Sequence, residues 1–242
     1  MATKIIEICA ASIESARNAA LGGAHRIELC SALSEGGVTP SAGLLLACRA
    51  LLTIPICVLI RPREGDFCYS DLEMKAMAED ISFCRKIGVA GVVVGALLPN
   101  GDLDLKKMSQ FKELAGEMEL VCHRAFDYAQ QPERALEQLI ELGYARVLTS
   151  GGRKTAWEGR DLIAKLVKIA KNRISIMPGS GVTAQNAVEL LKFTQATEIH
   201  SSAKKLVKNL QIQHSGEVFF SDYYESDVEI IKNIVENVTK IL

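Results

Sequence analysis

Residues 43–60 read GLLLACRALLTIPICVLI, and how this stretch divides decides the fold. Taken whole, it has roughly the minimum length for one membrane-spanning helix. Arg49 sits inside it, however, and Pro55 would break such a helix. Divided before the proline, it becomes a buried helix over 41–52 and a buried strand over 54–61. A helix apolar around much of its circumference, followed at once by an apolar strand, is the repeating unit of a parallel sheet covered by helices.

The same unit recurs along the chain. Short apolar runs occupy 5–10, 26–31, 55–61, 91–96, 119–126, 146–150, 174–178 and 198–202, and a stretch of helical period follows each. Eight such runs in 242 residues predict one α/β domain over 1–242, a single-domain (βα)8 TIM barrel with a long strand-eight to helix-eight connection over 203–225. An open doubly wound sheet is the alternative, but no G-x-G-x-x-G follows the first strand. Helix boundaries agree with the count. Ser70 with Glu73, Ser226 with Glu229, and Thr155 with Glu158 have capping-box spacing. Pro132 and Glu133 suit a first turn, and Gly22, Gly88 and Gly143 stand where a left-handed C-cap is wanted.

Charge and cysteine usage narrow the function classes. A formal net charge of −1 leaves no footprint for nucleic acid and no basic membrane patch. The opening MATKIIEICA is too short an apolar run, and is interrupted by Glu7, for a signal peptide. Seven cysteines, an odd number without a C-x-x-C pair, fit a reducing compartment and predict a cytoplasmic protein.

Strand parity places the chemistry. The pattern Ile6-Glu7-Ile8-Cys9 recurs as Ile27-Glu28-Leu29-Cys30 on the next strand. Successive side chains point to opposite faces, so Ile and Leu pack outward under the helices while Glu7, Cys9, Glu28 and Cys30 point into the barrel. Cys57, Leu59 and Arg61 share one parity on strand three, and Glu198, His200 and Ser202 on strand eight. On strand five, either His123 with Asp127 or Arg124 points inward; parity leaves both open.

Barrel interiors are mostly aliphatic, and polar residues at the C-terminal ends of several strands usually build a site. Glu7 and Glu28, offset by Arg61 and a strand-five His or Arg, form either an ion-pair network that fixes register or an acid/base site. In the acid/base reading His123, Glu7, Glu28 and Asp127 carry protons. Arg61, Arg63 and Arg124 then hold a small anionic or phosphorylated substrate. Cys9 and Cys30 top neighbouring strands, close enough to clasp a soft ion such as Cu(I), or to pack as small hydrophobes. Cys48 and Cys84 fall on helices as packing residues. Ser150-Gly151-Gly152-Arg153-Lys154 and Gly179-Ser180-Gly181 follow strands six and seven, where barrels often bind anions on backbone amides. The segment 61–67 is either a lid bringing cations over the mouth or a turn whose arginines pair with Glu64 and Asp66. His25 and His214 fall in loops as surface residues.

The ordered set IELC, GGVTPSAGL, IRPREGDFCYSDLE, HRAFD, RVLTSGG, IMPGSGV and EIHSS closely resembles the CutC family, over residues 7–202. The resemblance implies a βα barrel, a cytoplasmic location, a homo-oligomer and a part in copper homeostasis, with copper as ligand at Cys9 and Cys30. Its motif positions include Glu7, Glu28, Arg61, Arg63, Asp66, His123, Arg124, Asp127, Ser150, Gly151 and His200. Two departures lie in the late loops: Ser180 stands within the family's glycine triplet, and Lys204 replaces an arginine.

Overall fold

A computed structural model of the chain describes residues 4–208 and 222–240. Eight parallel strands, β1 (Ile5–Ala10), β2 (Arg26–Leu29), β3 (Ile56–Leu59), β4 (Gly91–Val94), β5 (Glu119–Cys122), β6 (Arg146–Thr149), β7 (Ser175–Pro178) and β8 (Glu198–Ser201), form one sheet. β1 pairs with β2 on one side and β8 on the other, so the first and last strands of the barrel meet there. β7 packs beside β8, which brings the sheet to a near-closed (βα)8 barrel. The covering helices are α1 (Ile13–Leu21), α2 (Ala42–Leu51), α3 (Asp71–Ile87), α4 (Leu105–Ala115), α5 (Pro132–Glu141), α6 (Arg160–Ala170), α7 (Ala187–Thr194) and α8 (Val228–Thr239).

The pleat separates two apolar regions, as parity requires. Ile6, Ile8, Ile27 and Leu29 join the layer between strands and helices. Cys9, Cys30, Cys57, Leu59, Val93, Val121, Leu148 and Met177 fill the barrel interior. Cys48 and Cys84 are buried on α2 and α3. The decisive stretch divides as expected: Ser41 caps α2 by accepting from Leu44 N–H, and the chain enters β3 directly after Pro55. No helix among the described residues is long and apolar enough to cross a membrane.

Several boundaries differ from the sequence reading. β5 stops at Cys122, because His123 turns the chain into a 3-10 turn over Arg124–Tyr128 by accepting Ala125 N–H on its own ring. Ser70 and Glu73 form the expected reciprocal box, but α8 is capped by Asp227 rather than Ser226, whose hydroxyl bonds Cys9 O. Thr155 and Glu158 bond reciprocally in a turn that precedes α6 instead of starting it. After α1 the left-handed residue is Gly23, not Gly22. The 203–225 connection contains an antiparallel pair, β9 (Lys204–Val207) with β10 (Tyr223–Ser226), so it is not wholly loop. His25 is half-buried and accepts Ile6 N–H, which corrects the surface assignment. His214 lies outside the described residues.

Candidate functional site at the barrel mouth

The base of the interior holds a chain of ions that runs from buried Glu7 out to exposed Glu119. Arg26 joins Glu7 to Glu198, and Arg146 joins Glu198 to Glu119. All except Glu7 stand at the first positions of their strands, at the N-terminal end of the barrel where stability rather than chemistry is usually set. The partners of Glu7 are therefore Arg26 and His200, not the expected Arg61. Arg26 escaped the sequence reading although it shares the parity of Glu28; that alternation was the available signal.

Glu7 connects this base to the mouth. Its Oε1 lies 2.8 Å from His200 Nδ1, while His200 Nε2 faces Glu28 at 3.5 Å. Burial alone would raise the Glu7 pKa, but the His200 hydrogen bond and the Arg26 charge outweigh it and hold Glu7 at about 2. For His200 burial favours the neutral ring, yet the Glu7 bond and the charges of Glu28 and Glu7 raise its pKa. Glu28 is raised, chiefly by burial, with the charge of Glu7 adding to it against the opposing pull of His200.

Above this dyad stand the thiols. Cys9 Sγ and Cys30 Sγ are 3.6 Å apart, both buried. The Cys9 pKa is pushed well up by its hydrogen bond with Cys30, by burial and by the charge of Glu28. One ligand atom each from Cys9, Glu28 and His200 lies within 4.8 Å of the others. Parity placed these residues on the interior; closure through β8 puts His200 beside them.

The middle strands supply cations, most already engaged. Arg61 donates to the carbonyls of Glu35, Gly37 and Gly65, which ties the mouth loops together rather than balancing Glu7 or Glu28. Arg63 pairs with Asp66 and Glu73 and donates to Cys68 O, so its fork is spent within its own segment. The expected pairing with Glu64 is only to that residue's carbonyl. Both strand-five alternatives reach the mouth: His123 and Arg124 line the same cavity. His123 is buried and neutral, its pKa lowered to about 3 by burial and by the Arg61 charge. With Nδ1 already accepting from Ala125, it has no free basic nitrogen for proton abstraction.

Asp127 is likewise committed. Its carboxylate accepts from the Thr149 hydroxyl at 2.5 Å, Ser150 N at 3.0 Å, Gly152 N at 3.1 Å and Arg124 Nε at 2.8 Å. Gly151 N donates to Thr149 Oγ1, and Gly179 N to Thr149 O. The expected bare amides of Ser150, Gly151, Gly152 and Gly179 are thus satisfied by the protein. Ser180 donates its hydroxyl to Lys154 O and, with φ of 79°, bends loop seven onto the cavity wall. The cavity has a volume of about 1390 Å³.

A sequence model described as the CutC family matches residues 4–205. A human protein named copper homeostasis protein cutC homolog is 46% identical over 200 residues, covering 83% of this chain and 73% of that protein. A CutC family protein from Parabacteroides distasonis is 44% identical over 237 residues, 97% of this chain and 98% of its own. The crystal structure of CutC from Streptococcus agalactiae superposes with a TM-score of 0.79 at 33% identity, over 83% of this chain and 99% of that one. A phosphoribosyl anthranilate isomerase from Thermotoga maritima matches at a TM-score of 0.61 with 12% identity, a likeness of fold alone.

Proposed function

The chain belongs to the CutC family, and from that premise we propose that it binds copper, as Cu(I), through Cys9 and Cys30 and serves copper homeostasis. The observation that carries the reading is the 3.6 Å separation of two buried sulfurs at the C-terminal ends of adjacent strands. Soft thiolates select Cu(I) over harder ions. With metal–sulfur bonds of about 2.3 Å, two sulfurs bound to one ion lie about 3.8 Å apart in a tetrahedral set and about 4.6 Å in a linear one. The pair therefore suits a bent arrangement, for which Glu28 or His200 is within reach of Cys9. Without the ion Cys9 keeps its proton, since its hydrogen bond with Cys30, burial and the nearby Glu28 oppose a thiolate. Copper as cargo would displace the thiol protons it meets, and its positive charge would offset Glu28.

The acid/base alternative loses two of its four groups, because Asp127 is fully bonded and His123 is neutral with its acceptor used. Glu7 and Glu28 remain, and Glu7 is held as an anion between Arg26 and His200. The free state of all seven cysteines accords with a reducing, cytoplasmic setting. Leu46 and Leu51 are exposed apolar residues on α2 and support the homo-oligomer proposed here. The test is an anaerobic Cu(I) titration against a competing chelator. Wild type should show one tight site that disappears in Cys9→Ser/Cys30→Ser; equal affinity and stoichiometry in the two proteins would end the thiol assignment.

A further inference from the structure

A cavity of about 1390 Å³ is far larger than one metal ion needs, and its wall carries hydrogen-bonding groups that the copper reading leaves unused. Foremost is His123, which is 5% exposed. Its Nδ1 accepts Ala125 N–H at 3.1 Å, and the ring is neutral, so the remaining proton sits on Nε2. That N–H is buried and has no protein acceptor among the described residues. A buried donor left unpaired is costly, and native proteins keep few of them without a reason.

The surroundings of His123 indicate what would accept the bond. Phe67 packs on the ring at 4.9 Å, and the Arg61 guanidinium lies over Phe67 at 5.1 Å from its centroid. Arg61 donates to three carbonyls and meets no carboxylate among the described residues, and its Nε is a second buried donor without an acceptor among them. Lys154 lines the same cavity and makes no ion pair among the described residues. Glu35 and Glu64 also line it, so the whole rim is of mixed charge. Around His123 the local charge is positive, and that charge is what depresses its pKa alongside burial.

We infer that the mouth binds a small organic anion, with a carboxylate or carbonyl oxygen of the ligand accepting the His123 Nε2–H. Arg61 and Lys154 attract its charge, and Phe67 provides the apolar wall and shifts to admit the oxygen. A neutral imidazole suits this role, because it donates to an oxygen without passing a proton to it. The site is separate in chemistry from the thiol pair and does not require copper.

The test uses the full chain in chelator-treated buffer, with 3-phosphoglycerate and malate as probes, followed by NMR of ¹⁵N-labelled histidine and by calorimetry. The His123 Nε2–H signal should move saturably with at least one probe. Affinity should fall about tenfold or more in His123→Phe, which keeps the ring but removes the donor. His123→Gln, whose amide nitrogen can reach the Nε2 position, should recover most of it. Cys9→Ser/Cys30→Ser should bind the probe as wild type does, so failure of the copper site leaves this inference standing. No movement of the His123 signal with either probe up to about 10 mM, or equal affinity in His123→Phe, would overturn it.

Discussion

Replacing Glu7 by Gln removes one negative charge from between Arg26 and His200 while nearly preserving volume. Glu7 titrates at about 2 in the folded chain against 4.5 for a free side chain, because its two cationic partners outweigh the penalty of burial. A depressed carboxylate pKa gives stability that is fully present above the unfolded value and is lost as pH falls through the folded one. The difference from 4.5 to about 2 corresponds to about 3 kcal/mol at pH 7 and, by the same linkage relation, about 2 kcal/mol at pH 3.5. Gln resembles the protonated acid, so the variant should be less stable by about these amounts, and its deficit should shrink as pH falls. Urea denaturation of both proteins at pH 7, 5.5 and 3.5 measures this. A deficit below about 1 kcal/mol at pH 7, or one that does not shrink with acid, would refute the placement of Glu7 as a doubly paired buried anion. His200 supplies a second readout: its raised pKa should fall in the variant, as followed by histidine NMR.

Asp127→Ala should leave the Ser150 and Gly152 amides without their acceptor, destabilise the protein by about 2–4 kcal/mol and abolish hydrogen-exchange protection at those two amides. Retained protection would mean the carboxylate does not hold loop six. At Gly159 an added Cβ would sit 1.9 Å from Ser150 O, so Gly159→Ala should lower stability by about 1–3 kcal/mol or more, and an unchanged melting temperature would contradict that close approach. His123 has its folded pKa near 3, below the 6.5 of a free ring, so protonation of the unfolded chain erodes stability as pH falls below 6.5. His123→Gln should flatten the stability profile between pH 6.5 and about 4. Finding an imidazolium at this position at pH 6 would contradict the lowered His123 pKa.

The fold was legible because each strand carries its own signature. A βα barrel needs only a run buried on both faces and a helix after it, and residues 43–60 show that unit once the proline is respected. Parity then sorted Glu7, Cys9, Glu28 and Cys30 correctly, since period two is a property of one strand. What parity could not supply was height and closure. Glu7 lies one layer below the thiols, and its partners Arg26 and His200 come from the two strands flanking β1. Only the β1–β8 pairing brings His200 and Glu198 into that network. The 3-10 turn at Arg124–Tyr128 explains why the strand-five choice had no single answer, for the chain leaves the pleat at His123 and both side chains face the mouth. The glycine loops misled for a related reason. Their amides are free in sequence, but Asp127 and Thr149 fold back to occupy them.

We propose that Cys9 and Cys30 hold copper together at the mouth. X-ray absorption at the copper edge, on protein loaded anaerobically with one equivalent of Cu(I), tests it most directly. The expected spectrum shows two sulfur ligands at about 2.3 Å, joined by at most one oxygen or nitrogen ligand, with both sulfur contributions lost in Cys9→Ser/Cys30→Ser. A first shell without sulfur, or a spectrum unchanged by the double substitution, would contradict it.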